Sequence, residues 1–186
     1  NQTVGFLNWF SEYNLVPLGM ALKLHLLSGN AIEIQKNSDY QKYQIEFNKE
    51  KFYLSDEQKK VFEELIKYDN SFRVHLLQGT TGSGKTIVYF KAIEKIINQG
   101  QQSLILLPEI GLTGEFEKKF MKFFGFQAAV WHSKINPKRK KVIWSGLTNG
   151  EIKVVIGARS ALFLPFNKLG LIVVDEEHDQ SFKQDE

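Results

Sequence analysis

Gly79-Thr80-Thr81-Gly82-Ser83-Gly84-Lys85-Thr86 fits the pattern G-x-x-x-x-G-K-[ST], and its reading decides the fold of this 186-residue chain. Glycines let successive backbone N–H groups turn inward around a polyphosphate, and a helix opening near Lys85 aims its positive end at the same point. Lys85 adds a charge for the β and γ oxygens of the phosphate, and Thr86 supplies a hydroxyl for Mg²⁺. This chemistry asks for a strand before the loop and a helix after it. The apolar run 74–77 reads as a buried strand and 85–98 as a helix.

Working outward, short apolar runs at 104–107, 128–131, 152–156 and 171–174 read as further buried strands, separated by helix-length segments at 112–124 and 137–148. Another helical segment, 56–68, precedes the first strand. Asn136-Pro137 is an N-cap followed by proline at the first helical position, and Asn149-Gly150 is a turn. Alternating strands and helices predict an α/β lobe with a parallel sheet, helices on both faces and ligands at the carboxyl ends of the strands. Upstream, residues 6–27 carry apolar side chains at near-helical spacing, broken at Val16-Pro17, which predicts a helix, a kink and a second helix. Residues 28–51 are polar and offer at most a short strand at 31–34. The expected division is therefore a helical remnant with its connector at 1–50 and the α/β lobe at 51–186.

Composition bounds the rest. With 42% hydrophobic and 13% aromatic residues the chain can bury a core, and a net charge of +3 does not by itself argue for nucleic acid. The absence of cysteine excludes a disulfide framework, a cysteine nucleophile and a thiolate metal site on this chain, with a cytosolic location as the default. No apolar run approaches the ~18 residues of a membrane span, and residues 1–5 lack the features of a signal peptide. A start at Asn1 and a stop at Glu186, just after a crowded motif, lead to the expectation of a piece of a longer protein.

Leu171-Ile172-Val173-Val174-Asp175-Glu176-Glu177-His178 is an apolar strand ending in carboxylates. In one sheet with the phosphate loop, Asp175 would hold Mg²⁺ through water and Glu176 would accept a proton from the attacking water; an acidic strand-to-helix turn is the plainer alternative. His178 reads as a hydrogen-bonded link to the next segment rather than as a base, and His25 and His75 as packing residues within apolar segments.

These residues carry a resemblance. The chain resembles the first RecA-like motor lobe of superfamily 2 helicases, through the phosphate loop and Asp175-Glu176-Glu177-His178, and within them the primosomal replication-restart (PriA) helicases. The closer likeness rests on four stretches: Leu107-Pro108-Glu109-Ile110-Gly111-Leu112-Thr113, Trp131-His132-Ser133, Ile156-Gly157-Ala158-Arg159-Ser160-Ala161-Leu162-Phe163 and Ser181-Phe182-Lys183-Gln184. Leu54-Ser55-Asp56-Glu57-Gln58 resembles the adenine-recognition motif, in which Gln58 would read the base. A bland reading of Gln58 is an exposed helix residue. The likeness is close from Leu54 onward and loose over 6–27, where Leu18-Gly19 is similar to the end of the family's N-terminal DNA-binding domain.

The resemblance implies ATP and Mg²⁺ as cofactors, single-stranded and forked DNA as substrates, and 3′ to 5′ movement at stalled forks. It also implies replication-restart proteins and single-strand-binding protein as partners, no membrane, and a bacterial cytoplasmic, nucleoid-associated setting. Zinc would belong to a second lobe beyond this chain, as would the arginine finger that completes the ATP site, so the chain alone should bind nucleotide and hydrolyse it slowly. The chain departs from the family in two places: only about two dozen residues stand where a winged-helix module is usual, and Gly114-Glu115 stand where proline and glutamine are usual.

Candidate DNA contacts follow the ends of the expected strands. Pro108, Glu109 and Thr113 lie where a strand gives way to a helix and backbone N–H groups could hold a phosphate, with helix capping as the alternative. Arg159 and Ser160 offer a cation and a hydroxyl at another strand end; DNA, the adjoining lobe, or Asp175 and Glu176 are all possible partners of Arg159. Lys118, Lys119, Lys122, Lys134, Lys138, Arg139, Lys140 and Lys141 are eight cations in a stretch, 118–150, without an acidic residue. Trp131, His132 and Trp144 flank the densest part, which suits phosphate contact with some stacking; a solvated helix face is the alternative. A nucleotide-dependent DNA-docking or sensing module without unwinding is the second functional reading. A small-molecule kinase is a third, disfavoured by the acidic strand end and the basic tract.

Overall fold

Among the described residues, four short strands carry the fold. β1 (Gln102–Leu106), β2 (Ala129–Trp131), β3 (Val154–Gly157) and β4 (Leu169–Val174) form one sheet in the order β2-β3-β1-β4, and every pairing is parallel. Helices α1 (Gln2–Tyr13), α2 (Leu18–His25), α3 (Asp56–Ile66), α4 (Lys85–Asn98), α5 (Gly114–Phe124) and α6 (Pro137–Thr148) complete the order, with short 3₁₀ turns at Arg159–Phe163 and Gln180–Phe182. The computed structural model describes residues 2–26, 50–67, 71–80, 82–108 and 114–182. The expected strand at 31–34, and Thr81, Glu109 and Thr113 among the candidate site residues, lie outside the described residues.

Side-chain alternation along the strands builds two cores. Leu104, Leu106, Ala129, Trp131 and Val155 face one way and pack with Val142, Ile143 and Leu147 of α6. Ile105, Leu107, Val154 and Ile156 face the other way, onto Phe90 and Ile93 of α4 and Phe120, Phe123 and Phe124 of α5. Helices therefore cover both faces, as the periodicity predicts. Phe90 is fully buried, with its ring centroid within 5.2–5.9 Å of those of Phe116, Phe120, Phe123 and Phe124. The expected cap holds at α6, where Arg139 N–H donates to Asn136 Oδ1 at 2.8 Å.

A polar residue closes the opposite end of the sheet. Gln102 is 1% exposed; its amide nitrogen donates to the carbonyls of Leu147 (3.2 Å) and Ile152 (2.7 Å), and its oxygen accepts from the N–H groups of Asn167 (2.7 Å) and Lys168 (3.0 Å). One side chain thus satisfies four backbone groups from the segments entering β3 and β4. The apolar run 104–107 placed β1 two residues too late, because a polar side chain with all its bonds met can open a buried strand.

The run 74–77 is not a strand. Val74 and Leu76 are 84% and 80% exposed, and within that run Leu77 alone packs against a core. Apolarity marks a segment that can be buried, but a strand also needs a neighbour offering a ladder. β4 is the terminal strand on that side, and Leu169, Ile172 and Val174 are themselves partly exposed. His75, expected to be packed, is accordingly exposed.

The N-terminal helix pair rests on the lobe. Phe6 and Phe10 meet Phe163 with ring centroids 5.8 and 5.0 Å apart, and the His25 ring lies 4.8 Å from that of Trp144. His25 Nδ1 donates to the Phe163 carbonyl at 2.6 Å, so His25 is a hydrogen-bonded packing residue as expected.

Candidate nucleotide site and the carboxyl edge of the sheet

Because all four strands are parallel, the residues that follow them share one edge. Across it the order is His132 after β2, Ala158 and Arg159 after β3, Pro108 after β1 and Asp175 after β4. At about 4.8 Å per strand, His132 and Asp175 stand roughly 14 Å apart along that edge. Pro108 is buried, His132 is half-buried and accepts from Lys134 N–H at 3.2 Å, and Arg159 and Ser160 are exposed. The close packing of the β3 end explains Gly157: a Cβ there would lie 2.9 Å from the Trp131 carbonyl oxygen and 2.7 Å from Ala161 Cβ.

The phosphate loop opens α4 as its sequence requires. Gly84 caps the helix at φ 82°, a backbone conformation that favours glycine, and a Cβ on it would displace the Gln58 amide. Lys85 Nζ donates to the carbonyls of Gly79 (2.6 Å) and Thr80 (3.1 Å), folding back over the loop. Its ammonium thus waits at the loop mouth on two neutral acceptors, which an anionic phosphate would outcompete.

Gln58 reaches the loop from α3. Ser55 and Gln58 form a capping box: Ser55 Oγ accepts from Gln58 N–H, and Gln58 Oε1 accepts from Ser55 N–H at 3.0 Å. Gln58 Nε2 then donates to the Ser83 carbonyl at 3.0 Å, tying the helix start to the loop. The Ser-x-x-Gln spacing was a legible signal for this cap that the adenine reading overlooked.

At the far end of the edge, Asp175 is held from three sides. Its N–H continues the ladder to the Leu106 carbonyl (3.0 Å), its Oδ1 accepts from Glu176 N–H (3.1 Å) and its Oδ2 accepts from the Tyr89 hydroxyl (2.7 Å). Tyr89 lies one turn beyond Thr86 on α4, so this bond draws the phosphate-loop helix and the acidic strand end together. Burial, and then the charge of Asp175, push the Tyr89 phenol well above its ordinary range and keep it a donor. Sequence reading missed Tyr89, since an aromatic in the run Ile87-Val88-Tyr89-Phe90 looks like core. Glu176 has φ 53°, a left-handed conformation uncommon for a residue with a side chain and one that turns it out of the strand direction. His178 Nε2 lies 3.4 Å from Glu176 Oε2, both exposed.

The residues fit a magnesium nucleotide. A hydroxyl (Thr86) and a carboxylate (Asp175) are a hard-oxygen donor pair suited to Mg²⁺, and both converge on Tyr89 beside a cation and a helix N-terminus.

The basic tract is divided by the fold. α5, with Lys118, Lys119 and Lys122, covers one face of the sheet, while α6, with Lys138, Arg139, Lys140 and Lys141, covers the other. Lys122 also pairs with Glu50 at 3.2 Å. Eight cations in sequence therefore do not make one patch. Trp131 is 5% exposed and carries Lys140 Nζ 5.8 Å above its ring, so it cannot stack on a base, and Trp144 is half-buried against His25.

Comparison with known proteins supplies the family. Residues 51–185 match the family described as "Type III restriction enzyme, res subunit". Along its whole length the chain is 40% identical, over 188 residues, to "Replication restart protein PriA" of Rickettsia typhi, of which it covers 28%. It is 44% identical over 135 residues to the protein of that name from Bacillus subtilis and 43% identical over 131 residues to that from Haemophilus influenzae, covering 72% and 70% of this chain and 17% and 18% of those proteins. An aligned length of 188 leaves no room for a module inserted between Leu27 and Leu54 in the Rickettsia relative, which shares the short connector. Among the described residues no helix is long and apolar enough to cross a membrane. The chain belongs to the family described as Type III restriction enzyme, res subunit, as a RecA-like helicase domain whose curated relatives are replication restart proteins PriA.

Proposed function

We propose that this chain is the ATP- and DNA-binding first motor lobe of an ATP-driven DNA helicase that restarts stalled replication forks, moving 3′ to 5′ along single-stranded DNA. The observation that carries the reading is the bond from Tyr89 to Asp175, which brings the phosphate-loop helix and the acidic strand end into one site. Residues 51–186 form the lobe and 1–50 the end of a preceding DNA-binding region. The chain spans about 28% of the length of its Rickettsia relatives, and the activity of the whole protein is proposed on that footing.

Mg²⁺ and ATP, when bound, would supply the electrophilic phosphorus, and Lys85 would leave the Gly79 and Thr80 carbonyls for the phosphate. Gly79, Thr80, Thr81, Gly82, Ser83 and Gly84 present backbone N–H groups around the phosphates, and Thr86 with Asp175 holds the metal. Glu176, turned outward by its left-handed backbone, takes the proton of the attacking water. Gln58 exchanges the Ser83 carbonyl for adenine. Pro108, His132, Arg159 and Ser160 follow the strands at the edge along which DNA would run, Glu109 and Thr113 are proposed as further DNA contacts, and Lys138, Arg139 and Lys140 add cations from α6. The setting is the bacterial cytoplasm at the nucleoid, with restart proteins and single-strand-binding protein as partners.

Strand displacement on a forked duplex by the full-length protein tests the reading, with Glu176→Gln beside the parent. The variant should bind ATP normally and lose hydrolysis and unwinding by about 10²- to 10⁴-fold. Normal turnover would remove Glu176 from the proton-accepting role, and ATP-dependent DNA binding by the parent without strand displacement would favour a docking module.

A further inference from the structure

Asp175 sits half-buried at a strand end, a place where a short carboxylate side chain ordinarily samples more than one orientation. Here both of its oxygens have fixed donors from different elements: Oδ1 takes the Glu176 N–H at 3.1 Å, and Oδ2 takes the Tyr89 hydroxyl at 2.7 Å. The Tyr89 ring is 6% exposed and packs edge-on against Phe90 with centroids 5.2 Å apart, so the hydroxyl has little freedom to leave. Thr86, three residues earlier on the same helical face, is the other polar group at that hydroxyl.

We propose that Tyr89 is a positioning residue for the metal: by gripping Asp175 from the helix that carries Thr86, it sets the separation and orientation of the two groups that hold Mg²⁺. Its hydroxyl touches neither nucleotide nor water in this role. It acts on Asp175 by fixing which oxygen lone pairs remain available, and it does so from the helix that also carries Thr86. Partners that orient metal-holding groups are typically worth roughly 10- to 100-fold in metal affinity or activity. The proposal rests on the reading of Asp175 as a metal-holding carboxylate.

The test uses the full-length protein and Tyr89→Phe, which keeps the ring and its packing and removes the hydroxyl. A fluorescent ATP analogue is titrated first in EDTA and then at fixed nucleotide against rising Mg²⁺. The expected result is unchanged nucleotide affinity in EDTA and a half-saturating Mg²⁺ concentration raised by about 10-fold. An Mg²⁺ titration that superimposes on the parent's overturns the proposal. So does an equal loss of nucleotide affinity with and without Mg²⁺, which would make Tyr89 merely structural. Asp175→Asn is run in parallel: if it too leaves the Mg²⁺ titration unmoved, the reading of Asp175 fails, whereas a shift in Asp175→Asn alone rejects only the role of Tyr89.

Discussion

Two single residues do more than their type announces. Gln102 is a glutamine at the start of a buried strand whose amide meets four backbone groups, so replacing it with an apolar residue of similar size leaves donors and acceptors orphaned in the core. Each such group costs about 1–3 kcal/mol. Gln102→Leu should therefore lower stability by at least ~2 kcal/mol in chemical denaturation of the 186-residue chain, and a midpoint equal to the parent's would show that water replaces the amide. Gln58 is the second. Its capping and loop-tethering bonds give it a structural use before any nucleotide arrives, and the adenine contact has to compete with the Ser83 bond.

The elements explain why charge in sequence differs from charge in space. On α6, four successive cations must spread around the helix: Lys138, Arg139 and Lys141 are exposed while Lys140 leans over Trp131. α5 carries its lysines on the opposite face of the sheet. Neutralising Lys138, Arg139 and Lys141 in the full-length protein should weaken single-stranded DNA binding and reduce the slope of log affinity against log salt by about 0.7 per lost contact. An unchanged slope would assign the contact to other cations. The exposed run 74–77 and the half-exposed β4 make a related point. Both are apolar enough for a sheet, yet only β4 has a paired neighbour, and pairing rather than composition separates them.

At the scale of the molecule, the parallel sheet turns scattered motifs into one edge. His132, Arg159, Pro108 and Asp175 come from four strands and line up because every strand runs the same way. In the proposed function the β4 end of this edge would hold the nucleotide and the side toward β2 would carry the candidate DNA contacts. The chain covers 28% of its Rickettsia relatives, and in the proposed motor a further lobe would complete the ATP site. The 186-residue chain should bind ATP while turning it over roughly 10³- to 10⁵-fold more slowly than the full-length protein with DNA. Steady-state phosphate release compares the two, and equal rates would refute dependence on a further lobe.

The sequence by itself determined the α/β class, the helices on both faces, the phosphate loop and the acidic strand end. Each of these is written in local terms: a period of two or 3.6, a glycine pattern that must free the backbone, a carboxylate after an apolar run. Only the tertiary structure decided that 74–77 stays out of the sheet, that the cations of α5 and α6 fall on two faces, that Trp131 is core and that Tyr89 grips Asp175. Those outcomes depend on which segments become neighbours across tens of residues. Strand pairing, burial and a hydrogen bond between positions 89 and 175 are properties of pairs, and no single stretch of sequence contains both members.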